Sequence, residues 1–105
     1  MAWWILIAAG LFEVAWASGL KMSHGLTRPG PALFTLVTLA ISMVLLAVSL
    51  RTIPIGTGYA VWTGIGAVGT ACAGMLLFGE PFTWLRCGFI GLIITGIMGL
   101  KFVSS

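Results

Sequence analysis

Charged side chains are scarce in this sequence. Of its 105 residues, 7% are charged, against about 25% in a typical soluble domain. So few charges cannot cover a water-facing surface, which excludes a soluble globular fold. Disorder is excluded as well, because disordered chains combine low hydrophobicity with high net charge, whereas 60% of these residues are hydrophobic. The solvent of this chain is therefore lipid.

Basic clusters and metal-binding patterns are also missing. The five Lys and Arg residues are scattered, so no nucleic-acid partner is expected. Cys72 and Cys87 do not form a CxxC motif, and no histidine follows them at the sequence spacing of a metal site. We therefore expect neither a metal nor a cofactor. His24 lies in a turn rich in Gly and Pro, and no nucleophile–base pair is evident. An enzyme is therefore not expected.

What the sequence does contain is four long apolar runs separated by short turns. A membrane-spanning helix needs about 20 apolar residues, and the runs predict helices over residues 2–20, 32–50, 57–78 and 82–101. Short connections make neighbouring helices antiparallel. We therefore predict an all-α membrane protein, with residues 1–105 forming a single domain of four transmembrane helices per chain.

The basic residues give only a weak indication of orientation in the membrane. Arg51 and Lys101 fall on one side of the predicted bundle, and Lys21, Arg28 and Arg86 fall on the other. The Lys and Arg bias that orients membrane proteins is therefore a single charge. This balance favours insertion in both directions, and an inverted pair resembles the inverted repeats of larger transporters. We expect an antiparallel, dual-topology homodimer.

Glu13 is the one charged residue in the first apolar run. A charged side chain at the centre of a membrane costs about 2.5–3.5 kcal/mol and usually marks an ion or proton path. A structural hydrogen bond to another helix is the alternative. Because burial disfavours the ionised carboxylate, either a proton or an organic cation can neutralise it, and the two compete. We predict that Glu13 binds both substrate and protons, which is a physical basis for antiport.

Two residues of the first run share the Glu13 face, and one polar residue of the second run is a further candidate. Gly10 and Trp16 lie three positions before and after Glu13, which places them on neighbouring parts of one helical surface. Ser42 belongs to a polar stripe with Thr35, Thr38 and Ser49. Its hydroxyl can reach a carboxylate or, equally, its own helix backbone. We expect all three to line the substrate site.

The third run supplies aromatic residues and glycines. Tyr59 and Trp62 are one turn apart, and a buried aromatic face attracts cations; an interfacial position is the alternative for Tyr59. We predict that both line the site. Gly64 and Gly66 favour a helix hinge or, compatibly, close helix packing. In the fourth run a stripe of small residues predicts a dimer contact. It consists of Gly88, Gly91, Thr95 and Gly99.

These residues together resemble the small multidrug resistance family. The resemblance rests on the segments 13–16, 20–21 and 54–66 and on the four-span length, and the segments are most similar to the guanidinium exporter branch. It implies an antiparallel homodimer in the bacterial inner membrane that exports guanidinium in exchange for protons. It also implies that Ser42 and Trp62 orient Glu13, that Trp16 lines the site and that Tyr59 lies at its mobile centre. The role of Lys101 stays open.

Other functions remain possible at this point. Within the same family, the alternative is an exporter of quaternary ammonium or aromatic cations. A non-transporting membrane adapter would not need the Glu13 carboxylate. A passive channel would conduct without coupling to a proton gradient. Transport assays separate these functions; composition does not.

Overall fold

The computed structural model describes residues 1–104, which form four helices. They are α1 (Ala2–Met22), α2 (Pro29–Ser49), α3 (Ile55–Leu77) and α4 (Trp84–Ser104). At about 1.5 Å per residue each is at least about 30 Å long, which matches the hydrocarbon core of a bilayer. All four are long and apolar enough to span a membrane. The predicted all-α fold with four membrane-spanning helices is therefore confirmed.

The helix ends differ from the predicted ones by up to three residues. The second helix was predicted to begin at residue 32, but α2 begins at Pro29. Proline is tolerated in the first turn of a helix because its missing N–H would have no partner there. The fourth helix was predicted to begin at residue 82, but α4 begins at Trp84, where the Thr83 hydroxyl accepts a hydrogen bond from the Arg86 amide.

The four helices do not form a symmetric bundle. In the described part of the chain α1 packs against α2 and α3, whereas the backbone of α4 comes close to α3 alone. The Cα atoms extend over 41 × 34 × 17 Å, so the molecule is flat. None of the residues of the fourth span is buried. α4 is therefore an edge helix with most of its surface free.

The apolar core lies in the half of the bundle that contains the start of α1 and the α2–α3 turn. Its buried members are Leu6, Ala9, Leu46, Ile53, Val61 and Trp62. Lipid tails are as apolar as these side chains, so close packing rather than the hydrophobic effect holds membrane helices together. Glycines provide that closeness between α1 and α3. A Cβ atom at Gly10 would lie 2.6 Å from Ile65 Cγ2, and one at Gly69 would overlap Val14.

The polar stripe of α2 is buried against the rest of the bundle. Three of its four hydroxyls bond their own helix: Thr35 donates to the Pro31 carbonyl at 2.8 Å, Thr38 to that of Phe34, and Ser49 to that of Leu46. Ser42 alone among them donates to another helix. The stripe as a whole is therefore structural, and Ser42 is the member that connects it to the surroundings of Glu13.

Candidate functional site

Glu13 lies near the middle of α1 and faces α3. Its carboxyl group fills the space beside Gly66, where a Cβ atom would overlap both the carboxyl carbon and Oε1. Within residues 1–104, Glu13 Oε1 is buried and has no hydrogen-bond partner. Buried polar atoms are nearly always paired, so an orphan atom requires an explanation. A bound cation or proton at this carboxyl group would provide one.

Trp16 carries a second orphan atom one turn further along α1. Its indole Nε1 is buried and, in the described chain, has no acceptor. Glu13 Oε1 accepts hydrogen bonds and Trp16 Nε1 donates them. No other buried side-chain nitrogen or oxygen of residues 1–103 lacks a partner. The unsatisfied polar atoms are thus confined to Glu13, which is predicted to bind substrate and protons, and Trp16, which is predicted to line the site.

Ser42 and Trp62 form a buried chain of hydrogen bonds that ends on α1. The Trp62 indole donates to Ser42 Oγ at 3.0 Å, and the Ser42 hydroxyl donates to the Ala9 carbonyl at 2.7 Å. In an α-helix the carbonyl four residues back is the acceptor of a residue's amide, so Ala9 is the backbone acceptor for Glu13. These two hydrogen bonds therefore fix the part of the α1 backbone that carries Glu13. In this structure the Ser42 hydroxyl bonds the Ala9 carbonyl instead of the carboxyl group.

Tyr59 lies against Trp62 but stays open to the surroundings. The two ring centroids are 5.6 Å apart with an interplanar angle of 56°. Trp62 is buried, whereas 56% of Tyr59 is exposed. Tyr59 is in the first turns of α3, near the end of the span. The structure thus joins Tyr59 to the candidate site through Trp62.

The candidate glycines have different neighbours. Gly66 faces the Glu13 carboxyl group, whereas a Cβ at Gly64 would lie 2.8 Å from Ile97 Cδ1 on α4. Gly10 packs against Ile65. α3 runs without a break from Ile55 to Leu77. From the sequence, Gly66 is expected at a helix hinge or a close helix contact, and its contact with Glu13 is not predicted. Its spacing of four residues from Trp62 was the signal, because that spacing puts both on one face.

The small-residue stripe of α4 is open. In the described chain, nothing lies within 4 Å of a Cβ placed at Gly88, Gly91 or Gly99. The Thr95 hydroxyl donates to the Gly91 carbonyl at 2.8 Å, so it is satisfied within its own helix. The stripe therefore presents a smooth apolar surface, which is the kind of surface that another helix can approach closely.

Four apolar spans, the first with a half-buried carboxylate at its middle, define a multi-pass membrane protein with an ionisable site inside it. The family model described as Small Multidrug Resistance protein matches residues 1–93. The chain belongs to this family, as the sequence motifs indicated.

Curated relatives are similar over almost their whole length. A protein of Yersinia pseudotuberculosis serotype I named guanidinium exporter is 56% identical over 104 residues, which are 99% of this chain and 100% of the relative. Proteins with the same name from Salmonella typhimurium strain LT2 and Citrobacter freundii are each 52% identical over 101 residues, 96% of both chains. These relatives are named as exporters, which agrees with the expectation of a transporter instead of an enzyme.

Proposed function

We propose that this protein exports guanidinium across the bacterial inner membrane in exchange for protons, with Glu13 as the shared binding group. One observation carries the proposal. A buried carboxyl oxygen without a hydrogen-bond partner lies at mid-span in the described structure. The chain is also 52–56% identical to proteins named guanidinium exporter.

The chemistry of guanidinium suits this position. The ion is planar and presents parallel N–H donors, which can bind both oxygens of a carboxylate. A neighbouring indole face adds a cation–π attraction, and Trp16 is one turn from Glu13. Guanidinium accepts no hydrogen bonds, so the Trp16 N–H needs another acceptor. A carboxylate has about four lone-pair positions, enough to bind the cation and accept from an indole.

Exchange follows from competition for one group. A membrane-buried carboxylate is unfavourable unless it is neutralised. A proton and a guanidinium ion each neutralise it, and the covalently bound proton removes the charge that attracts the cation. Guanidinium therefore leaves when a proton arrives, and the reverse step follows on the opposite side of the membrane. Ser42 and Trp62 fix the backbone at Glu13. The residues that line the site are Trp16, Tyr59 and Gly10. Gly64 and Gly66 permit bending of α3.

The proposal includes an antiparallel homodimer in which each copy inserts with opposite orientation. The flat shape of the chain and the free surface of α4 support a partner. The stripe of Gly88, Gly91, Thr95 and Gly99 forms the contact. The Lys and Arg bias of one charge supports insertion in both directions. Two Glu13 carboxylates would then lie in one site and titrate as a pair.

Proton-coupled uptake into proteoliposomes tests the function. We expect an imposed pH gradient to drive guanidinium uptake by the wild-type protein, and Glu13→Gln to reduce it to the level of empty liposomes. Glu80→Gln is the matched control, because Glu80 lies outside the four helices and pairs with Arg86 at 2.7 Å. It should transport like the wild type.

The same assay separates the alternatives. Uptake of tetraalkylammonium without uptake of guanidinium would favour a multidrug exporter, and uptake that does not respond to the pH gradient would indicate a channel. Normal transport by Glu13→Gln would overturn the proposed mechanism.

Labelling from the two sides of the membrane tests the orientation. His24→Cys is made in a background that lacks Cys72 and Cys87, since His24 lies in the exposed α1–α2 turn. An impermeant maleimide should label about half of the molecules from each side. Labelling from one side alone would contradict dual topology.

A further inference from the structure

An apolar groove runs along the membrane between α1 and α4. A cavity of about 420 Å³ is lined mainly by apolar residues such as Trp3, Ile7 and Met98, together with Lys101. A second cavity of about 300 Å³ lies deeper, beside Leu11. Both cavities are lined by Ile65 and Ile97. They are therefore neighbouring cavities, and together they are called here the α1–α4 groove.

The groove exists because of the way α4 is attached. In the described structure the backbone of α4 lies close to α3 but not to α1, so a wedge of space stays open above α3. On α1 the groove extends from Trp3 to Leu11, eight residues or about 12 Å along the helix axis. Its direction is that of the helices, and hence that of the lipid tails beside them.

Lys101 gives the groove a positively charged end. It lies in the last turn of α4, and its Nζ is 4.8 Å from the centroid of the Trp3 ring. The ion pair found in residues 1–104, Glu80 with Arg86, belongs to the α3–α4 loop at the other end of the helices. The Lys101 ammonium thus contacts an aromatic face but has no acidic partner in the described chain.

We propose that the α1–α4 groove binds an acidic phospholipid, with one acyl chain in the groove and the phosphate group on Lys101. Empty space along lipid-exposed helices forfeits dispersion contacts, so hydrocarbon fills it. Basic pockets between membrane helices bind anionic headgroups. A zwitterionic lipid offers the same tails, but its own cation already neutralises the phosphate. Lys101 therefore selects a lipid with net negative charge, such as phosphatidylglycerol.

A second copy of the chain is the competing occupant of the groove. The groove-lining residues of α4 include Ile94, Met98 and Lys101, whereas the small-residue stripe runs from Gly88 to Gly99. At 100° per residue the two faces are about a quarter turn apart. A dimer formed through the stripe therefore leaves the groove open to lipid. The binding of this lipid does not depend on which cation the protein exports.

Native mass spectrometry of the purified full-length protein tests the proposal. The probe is an equimolar mixture of phosphatidylglycerol and phosphatidylcholine with identical acyl chains. We expect the wild type to retain phosphatidylglycerol about fivefold more strongly, the factor for one basic side chain near anionic headgroups. Lys101→Arg should keep this preference and Lys101→Gln should lose it. Lys21→Gln, at the far end of α1, is the matched control and should behave like the wild type.

A second pair of variants tests the groove itself. Ile94→Trp fills its deep part, whereas Phe89→Trp places the same side chain on an exposed position of α4 outside both the groove and the small-residue stripe. The first should reduce the amount of bound phosphatidylglycerol several-fold, and the second should not. Equal retention of both lipids by the wild type, or a preference that survives in Lys101→Gln, would overturn the proposal. Undiminished binding by Ile94→Trp would also overturn it.

Discussion

Trp62 and Ser42 are joined by a 3.0 Å hydrogen bond from the indole N–H to the hydroxyl oxygen. The bond connects α3 to α2, two helices that meet each other far less than each meets α1. The Ser42 hydroxyl in turn donates a hydrogen bond to the Ala9 carbonyl of α1. Three helices are thereby linked one turn before Glu13, in a region that the apolar core shields from lipid.

Replacement of Ser42 by alanine should destabilise the protein. It leaves the Trp62 N–H and the Ala9 carbonyl without their side-chain partner, and an unsatisfied buried group costs about 1–3 kcal/mol. Ser49→Ala is the matched control, because Ser49 is equally buried but bonds only the Leu46 carbonyl of its own helix. Thermal unfolding in detergent measures both. Equal losses would show that the link between helices contributes nothing special.

Substitution of Gly66 by alanine should disable the site without unfolding the protein. The new methyl group would overlap the Glu13 carboxyl group, which then has to move. We expect guanidinium uptake to fall at least about tenfold, since a displacement of about 1 Å in a binding site can cost more than that. Gly56→Ala is the control in the same helix, with no atom within 4 Å of the added methyl group in the described chain. Normal uptake by Gly66→Ala would contradict the packing.

Trp16→Phe should separate stability from function. The substitution keeps an aromatic ring but removes an N–H that is buried without an acceptor in residues 1–104. Removal of an unsatisfied donor is neutral or stabilising, so the melting temperature should not fall. Guanidinium affinity should fall several-fold, because phenylalanine cannot donate a hydrogen bond to a carboxylate. A lower melting temperature with unchanged affinity would show that the indole is merely structural.

Acidification should weaken guanidinium binding. If one proton and one cation compete for the Glu13 carboxylate, then over the range in which that group is protonated the apparent Kd rises up to about tenfold for each unit that the pH falls. Two coupled carboxylates would steepen or spread this change. Binding followed by calorimetry at several pH values measures it. A Kd that does not change with pH would exclude competition at this site.

The Gly66 neighbourhood illustrates how far sequence patterns reach. The positions 59, 62, 66 and 69 share one helical face by spacing alone, and in the structure Gly66 and Gly69 of this face lie against α1. Spacing within α3 cannot state which residue of α1 lies opposite each glycine. That choice depends on the relative height and rotation of two helices, which are set by the sum of their contacts. For this reason the contact between Gly66 and Glu13 was missed.

The polar stripe of α2 shows the same limit for hydrogen bonds. Its periodicity predicted a common face, and all four side chains are buried together. Whether a hydroxyl bonds its own backbone or another helix depends on which acceptor comes within about 3 Å. The hydroxyls of Thr35 and Ser49 donate to carbonyls of α2, whereas the Ser42 hydroxyl donates to the Ala9 carbonyl of α1.

The sequence by itself determined the lipid environment, the four spans and the energetically unfavourable position of Glu13 within a span. These follow from composition, run length and the desolvation of charge. It also determined the family, through motifs at fixed spacing. Tertiary structure alone decided that Glu13 faces Gly66, that Ser42 links Trp62 to Ala9, and that the backbone of α4 lies close to α3 but not to α1. These features depend on how helices settle against one another, and local periodicity fixes the face of a helix but not its neighbour.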